Sequence, residues 1–590
     1  MGRLLDYSAS KNDAKVQNLQ NPVDAISGFS YTARFEKSGG AVGHLYDITA
    51  KEGAGMKVLI TDEISQEGLQ PLLDDPRIEL DIRLGLSEKE LHSIIGNYEA
   101  LITRSGTCVD QPLVEKGTSL KIIARAGVGI DNVDVQAASS RGIIVVNAPF
   151  GNINSAAEHT LALILTLCRN VTLANSCLKN GGWQRAPFTG YELKGKTLGI
   201  IGLGKVGGRV AQRARAFEMD VVACDPYIAE KRAEDLGVRL VSLDELIRCS
   251  HIISVHTPRN AETIDLLGEE HFQYMKDGVI IINCARGEII NESAMLAALE
   301  SGKVVGAAFD VFSEEPPKSE GLKRLIAHPR MIVTPHLGAN TFEAQKNVAV
   351  DVSREIINFL DGQPLENAVN IPRFDADLMR HMKPFMELVR QMGAFIVQLA
   401  PANPSKVQFA YHGSLASQDC TPLTVCGLSA LLNCHSEHDV NLVNSQMVAR
   451  EMGIAVEESR SSDPVSFSNL ITITLMTPEG KRTVAGTLFD GIPKIVKMRD
   501  FATDFQPEEH MLVISYSDRP GLIGRIGTIL GEAGINIGSM NLGRRAKAGE
   551  AMVVLSIDTP AEPETVSRLT AAVDAHFIRA VHMRIENMVG

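Results

Sequence analysis

Nowhere in the 590 residues does an apolar run approach the roughly 18 that a membrane-spanning helix needs; the longest lies near Leu161–Leu167. No membrane partner is expected. Cysteine is sparse, nine in an odd count with no CxxC pair, which disfavours a disulfide framework and suits reduced thiols in a cytoplasmic compartment. Cys420, Cys426, Cys434, His435 and His438 match no standard zinc spacing, so no metal is expected there. Positive charge is in deficit. Lys+Arg number 58 against 71 Asp+Glu, a net charge of −13, and such a surface repels phosphate backbones, so nucleic acid is not expected as a partner.

The first 55 residues lack the apolar core of a secretory signal, and Asp6, Asp13, Asp24, Glu36, Asp47 and Glu52 disfavour an acidic-poor transit peptide. Gly2 is followed by Asp6 where myristoylation wants Ser or Thr. Residues 1–55 are read as a disordered N-terminal arm, with an organelle address as the alternative.

What remains is ordinary globular sequence, 44% hydrophobic and 22% charged, long enough for about four domains at roughly 150 residues each. From Lys57 to about Ile371, short β-rich runs alternate with helical stretches. Val58–Thr61, Ala100–Thr103, Ile122–Ala124, Val145–Asn147, Leu198–Ile201, Val221–Cys224, Ile252–His256, Val279–Asn283, Ala307–Phe309 and Ile332–Thr334 read as buried strands. Runs apolar on both faces belong to parallel sheets covered by helices, so the fold class is α/β with two doubly wound units. The expected organisation is a substrate-binding domain at 56–154 and 341–372, discontinuous in sequence, and a dinucleotide-binding domain at 155–340. An intervening α+β domain at 373–505 and a β-α-β-β-α-β domain at 510–590 follow.

Strand Leu198–Ile201 runs into Gly202-Leu203-Gly204-Lys205-Val206-Gly207 and then into a helix. Gly202 permits the tight turn, Gly204 lets backbone approach a pyrophosphate, and Gly207 lets the helix pack on the strand. The next strand ends at Asp225, whose carboxylate can accept from a ribose 2′-OH and repels a 2′-phosphate; NAD is therefore expected over NADP. Gly127-Val128-Gly129 lacks the completing glycine and reads as a tight loop.

Oxidising an alcohol by hydride loss requires a base for the hydroxyl proton. His336, after strand Ile332–Thr334, stands where parallel strands present catalytic groups, and Glu315 lies at another loop beyond a strand end as its orienting acceptor. Arg286, after Val279–Ile282, supplies the cation that a hydroxy-acid carboxylate needs.

These residues sit in Arg125-Ala-Gly-Val-Gly-Ile-Asp-Asn-Val-Asp134, Ser155-Ala-Ala-Glu158, Lys194-Gly-Lys-Thr-Leu-Gly-Ile-Ile-Gly-Leu-Gly204, Asn283-Cys-Ala-Arg-Gly287, Phe309-Asp-Val-Phe-Ser-Glu-Glu-Pro-Pro317 and His336-Leu-Gly-Ala-Asn-Thr-Phe-Glu-Ala-Gln345. The chain thereby resembles the D-isomer-specific 2-hydroxyacid dehydrogenases from about Met56 to Gly590, in their long phosphoglycerate-oxidising form. The resemblance implies NAD-dependent oxidation of 3-phospho-D-glycerate to 3-phosphohydroxypyruvate, the entry to serine synthesis, by Arg286, Glu315 and His336. It implies cofactor contacts from the glycine loop, Asp225, Thr257, Cys284, Ala285, Asp310, Gly338 and Ala339. It also implies substrate contacts from Arg104, Ser105, Arg125 and Asn152, with Arg185 reaching a neighbouring subunit of a homodimer or homotetramer. Asn340 and Ile153 depart from the family pattern and loosen the expected substrate pocket.

Asp518-Arg-Pro-Gly-Leu-Ile-Gly524 with Gly534-Ile-Asn-Ile537 resembles the ACT regulatory domain, of ferredoxin-like fold. A helix starting after Gly521 offers N–H groups to a carboxylate, and Asp518 and Asn536 are expected at the other ends of the ligand, implied to be L-serine. Tyr516 stands where serine-inhibited relatives carry histidine. The rival readings are a D-2-hydroxyacid dehydrogenase for glycerate or 2-oxoglutarate, and an NAD-sensing transcriptional co-repressor.

Overall fold

In the computed structural model, the residues described are 55–371, 376–400, 402–433, 440–463, 466–545 and 549–583, with side chains of the 376–398 helix from 381 onward. The N-terminal arm before Gly55, and Cys434, His435 and His438, lie outside them.

Five parallel strands form the first sheet: β1 (Met56–Ile60), β2 (Ile78–Ile82), β3 (Ala100–Thr103), β4 (Ile122–Arg125) and β5 (Ile144–Asn147), in the order β2-β1-β3-β4-β5. Seven parallel strands form the second: β6 (Thr197–Ile201), β7 (Asp220–Cys224), β8 (Arg239–Leu240), β9 (Ile252–Val255), β10 (Val279–Asn283), β11 (Val304–Phe309) and β12 (Met331–Val333). Their order, β12-β11-β10-β9-β6-β7-β8, reverses direction between β6 and β9, the switch point where doubly wound sheets bind ligands. The ten runs expected from sequence all appear as strands. β2 and β8 are not among them: both are edge strands with a weak apolar signal, and β8 is only two residues long. β2 carries Glu79 and Asp81 and buries only Leu80 fully, so it lacks the two-sided apolar signal of a central parallel strand.

After Thr341 the chain leaves the second sheet and packs on the first. Thr341 caps the helix Phe342–Leu360, whose Val348, Val352 and Ile356 enter the core with Val58, Ile60 and Ile102. This helix crosses Gln66–Asp74 so closely that a Cβ on Gly68 would meet the Ala349 methyl at 2.4 Å. The Ser353 hydroxyl donates to the Gly68 carbonyl at 3.0 Å across the same contact.

The third sheet is mixed: β13 (Lys406–Gly413), β14 (Ala455–Ser461), β15 (Asn469–Thr477), β16 (Gly480–Phe489), β17 (Ile492–Met498) and β18 (Phe501–Phe505). Only the β13–β14 pair is parallel. Helix Ala376–Gln398 packs across it, burying Leu388, Val389, Met392 and Phe395. The fourth sheet, β19 (His510–Ser517), β20 (Ile537–Arg544), β21 (Glu550–Ile557) and β22 (Ala575–His582), is antiparallel in the order β20-β21-β19-β22, the ferredoxin-like arrangement. No single helix among the described residues is long and apolar enough to cross a membrane.

Gly68→Ala is expected to cost about 1–3 kcal/mol by overpacking this helix crossing. Its guanidinium-chloride unfolding midpoint should fall; an unchanged midpoint would show that the two helices separate freely.

Candidate active site

The loops that follow β10, β11 and β12 build one mouth. At β10, the Asn283 side chain accepts from the Ala285 N–H at 3.0 Å and donates to the Arg286 carbonyl at 2.9 Å, which fixes the turn that presents Arg286. Gly287 lies against the backbone of Phe312, where any Cβ would collide at 2.1 Å, so the β10 and β11 loops touch. The Phe312 N–H then donates to Glu315 Oε1 at 3.0 Å, and Glu315 Oε2 lies 2.7 Å from His336 Nδ1. Sequence reasoning named Arg286, Glu315 and His336 separately; the structure brings them to this single mouth.

Burial raises the Glu315 carboxyl. The His336 hydrogen bond and charge, with the Phe312 amide, overcome that and hold it below its ordinary value. His336 itself takes a left-handed backbone with φ 54°, and its N–H donates to the Asp310 carbonyl at 2.9 Å. Asp310 is 1% exposed. Its carboxylate accepts from the Thr334 hydroxyl at 2.5 Å, the Leu337 N–H at 2.7 Å and the Gly338 N–H at 2.8 Å, and lies 3.3 Å from His159 Nε2. Burial again opposes ionisation, and the bonds from His159, Thr334 and Leu337 win, leaving the acid lowered. Asp310 therefore shapes the loop that carries His336, Gly338 and Ala339. Ser155, near the start of helix Ile153–Cys168, donates to the Gly338 carbonyl at 2.6 Å and ties that loop to Asn152, which heads the helix.

The opposite wall comes from the first sheet. Arg286 Nε donates to Asp131 Oδ2 at 2.9 Å, a contact between segments 155 residues apart. Burial first, then the like charges of Arg286 and Arg104, pull the Arg125 guanidinium down to about 10. It stays cationic at neutral pH, and its Nε is buried with no hydrogen-bond partner. The charges of Arg104 and Arg286 are thus felt at Arg125, which holds an orphaned donor. Arg104 is steadied by its Nη1 bond to the Glu63 carbonyl at 3.0 Å, with Ser105 exposed beside it. Asp131 was quoted in the sequence motif without a role. The signal available was a carboxylate two residues beyond the Gly127–Gly129 loop.

The cofactor cradle is on β6, β7 and β9. Gly202 has φ 91°, and a Cβ there would meet the His256 carbonyl at 2.8 Å; Gly207 would meet the Gly202 carbonyl at 2.1 Å. Gly204 instead opens onto free space at the start of helix Lys205–Ala216, where no side chain caps the amides. Asp225 at the tip of β7 accepts from the Leu203 N–H and the Tyr227 N–H, both at 2.9 Å. Thr257 Oγ1, beside Gly202, is buried without a partner. An open glycine turn, free helix amides, a carboxylate at the ribose position and an orphaned hydroxyl fit a dinucleotide without a 2′-phosphate. Lys205 lies with its Nζ 3.4 Å from the Phe150 ring centroid, and Val206 is half-buried behind it. Burial pushes the Cys284 thiol up to about 12, so it lines the mouth as a neutral group.

Among known proteins, the D-isomer specific 2-hydroxyacid dehydrogenase NAD binding domain matches residues 161–338, the D-3-phosphoglycerate dehydrogenase intervening domain 381–499 and the ACT domain 510–574. D-3-phosphoglycerate dehydrogenase from Bacillus subtilis is 41% identical over 529 residues, covering 89% of this chain and 99% of that protein. The enzyme of the same name from Archaeoglobus fulgidus is 39% identical over 528 residues, 89% of this chain and 100% of its own. This chain belongs to the D-3-phosphoglycerate dehydrogenase family. A solved D-lactate dehydrogenase from Aquifex aeolicus complexed with NAD and lactic acid is 29% identical with a TM-score of 0.49, covering 53% of this chain and 99% of that one.

Two expectations within this family assignment need correction or restriction. Asp518 and Asn536 do not meet around one ligand within a chain. Asp518 faces Arg544 at 3.5 Å, while Asn536 donates to Asp558 at 2.9 Å, and all eight residues of β20 lie between those points, about 25 Å at roughly 3.3 Å per residue. Both β19 and β20 run antiparallel to β21, so the exit of β19 and the entry of β20 fall at opposite ends of the sheet. Arg185 is exposed, its guanidinium 5.9 Å from the Trp183 ring, outside the mouth described above.

Asp310→Asn should lose about 1–3 kcal/mol of stability at pH 7 by leaving the loop amides poorly paired. The Asp310 carboxyl ionises below its ordinary 3.8, so its contribution is fully present above that value and is lost as pH falls through the folded value. Urea titrations at neutral pH and near pH 3 should therefore show the gap to the parent closing in acid; a pH-independent gap contradicts the assignment.

Proposed function

We propose that this protein oxidises 3-phospho-D-glycerate to 3-phosphohydroxypyruvate with NAD, the step that opens serine synthesis. The observation that carries the reading is a mouth that holds Arg286 and the bonded His336–Glu315 pair on one side, with Arg125, its Nε buried, on the side that Arg286 reaches through Asp131. An anionic substrate with two acidic ends matches that field. Arg286 takes the substrate carboxylate, leaving Asp131 as it does so. Arg125 and Arg104, with Ser105 and Asn152 at the rim, take the phosphate. His336 removes the hydroxyl proton through the ring nitrogen that Glu315 leaves free, and the Glu315 carboxylate steadies the imidazolium. NAD, when bound in the glycine cradle, accepts the hydride. Asp225 disfavours a 2′-phosphate there and sets the preference for NAD over NADP.

The ACT fold supports control by a small amino acid, and we assign L-serine. Because one chain holds Asp518 and Asn536 at opposite ends of β20, a serine touching both takes them from two copies, which requires a homodimer or homotetramer. The cysteines among the described residues are free, in keeping with a cytoplasmic setting.

His336→Ala should lose about 10²–10⁴ in kcat with NAD affinity retained; an unchanged kcat removes it as the base. Arg125→Met should raise the KM for 3-phospho-D-glycerate by about tenfold or more, the loss of one charge-assisted contact. Equal kcat/KM for D-glycerate and its 3-phosphate in the parent would reject the phosphate assignment and favour a general D-2-hydroxyacid dehydrogenase.

A further inference from the structure

The ACT sheet carries a group of side chains that neither the dehydrogenase mouth nor an amino-acid ligand uses. His510, the first residue of β19, and His582, the last of β22, are direct register partners in the antiparallel pair. Cross-strand partners have their side chains side by side, within about 5.5 Å at Cβ. Here the two Nδ1 atoms are 3.0 Å apart, with ring centroids at 4.8 Å and planes within 21° of each other. Glu509 precedes them, its Oε1 3.8 Å from His510 Nε2, and one donor atom from each of the three residues lies within 4.8 Å of the others.

The pair is held in place by backbone bonds. The Gln398 side chain accepts from the His582 N–H at 2.9 Å and donates to the His582 carbonyl at 3.0 Å, so both main-chain groups of that residue are clamped to the end of helix Ala376–Gln398. The next residue, Met583, donates its N–H to the Glu509 carbonyl at 2.8 Å, which fixes the third member from behind. Two imidazole nitrogens facing at this distance cannot both carry a proton. Either they share one in an N–H···N bond or both turn lone pairs onto a cation. With metal–nitrogen bonds of about 2.0–2.1 Å, two nitrogens on one ion stand roughly 2.9–3.4 Å apart, and the observed spacing falls in that span. Two imidazoles and a carboxylate, with an open side toward solvent, suit a borderline divalent ion such as zinc rather than calcium or magnesium, which want oxygen ligands.

We propose that Glu509, His510 and His582 form a binding site for a zinc-like divalent metal ion, clipping the first strand of the ACT domain to its last beside the helix that spans the intervening domain. Binding takes up neutral imidazoles and displaces the proton the pair shares. The remaining position on the ion is left to water.

The test uses the full-length protein, stripped by chelator and dialysed, titrated with Zn2+ by calorimetry and with Co2+ by visible absorption. The expected result is one equivalent bound by the parent, with a raised melting temperature. That equivalent should weaken at least tenfold in His582→Gln and again in His510→Gln, and detectably in Glu509→Gln. His582 and Glu509 are exposed, so their variants keep the fold; metal-free melting temperature and NAD-dependent turnover check this. If His510→Gln does not fold, the His582 variant decides alone. Failure of the parent to take up an equivalent, or full retention of it by His582→Gln, overturns the site and leaves a plain hydrogen-bonded histidine pair.

Discussion

The mouth that holds His336 and Glu315 depends on one buried charge. Asp310 stands at the end of β11, out of contact with water, and is ionised only because two backbone amides, a hydroxyl and an imidazole converge on it. An isolated carboxylate in that position would be expelled or protonated, so the loop from Thr334 to Gly338 must stay wrapped around it. The wrapping forces His336 into the left-handed region, a conformation that costs a non-glycine residue on the order of 1 kcal/mol. In return the imidazole leaves the loop at an angle that meets Glu315. The strain is held by Asp310 on one side and the Glu315 bond on the other.

The charge balance of the cleft opposes that of the chain. A protein with a net charge of −13 gathers positive charge around Arg125, which burial and the charges of Arg286 and Arg104 lower. Such a cluster is costly without an anion, and the structure shows a substitute: Asp131 occupies Arg286 from across the cleft. Under the proposed function, exchange of Asp131 for a substrate carboxylate would keep Arg286 paired, and binding would draw on the difference between two salt bridges. The same bridge joins the first sheet to the second.

The residues that were legible in the sequence are those whose chemistry is local. Gly202, Gly204 and Gly207 are spaced along one turn, Asp225 ends the next strand, and Arg286, Glu315 and His336 each follow a strand whose direction was already clear. Asp131 and the network of His159, Thr334 and Asp310 were not legible, because their meaning lies in partners brought near only by the sheet order; Asp131 and Arg286 are 155 residues apart. β2 was missed for a different reason: an edge strand exposes its charges and loses the apolar signature. Asp518 and Asn536 lie apart within one chain for a reason of topology. In a β-α-β unit the two strands run the same way, so the loop leaving the first and the loop entering the second cannot share an end.

That topology also constrains how the last domain can influence the first. Its contacts with the rest of the chain include the Gln398 clamp on His582, at the end of the helix that packs across the third sheet. From the intervening domain, the Asn441 side chain donates to the Gly142 carbonyl at 2.7 Å, in the turn that leads into β5 of the first sheet. A Cβ on Gly142 would meet Asn441 at 2.8 Å and Asn444 at 3.0 Å, so the two surfaces pack closely there. β5 is bonded to β4, and β4 ends at Arg125. A ligand on the ACT domain therefore acts on the guanidinium cluster only if it is bound unequally in two arrangements of these packed elements. Arg125, whose buried Nε has no partner, stands at the end of that path.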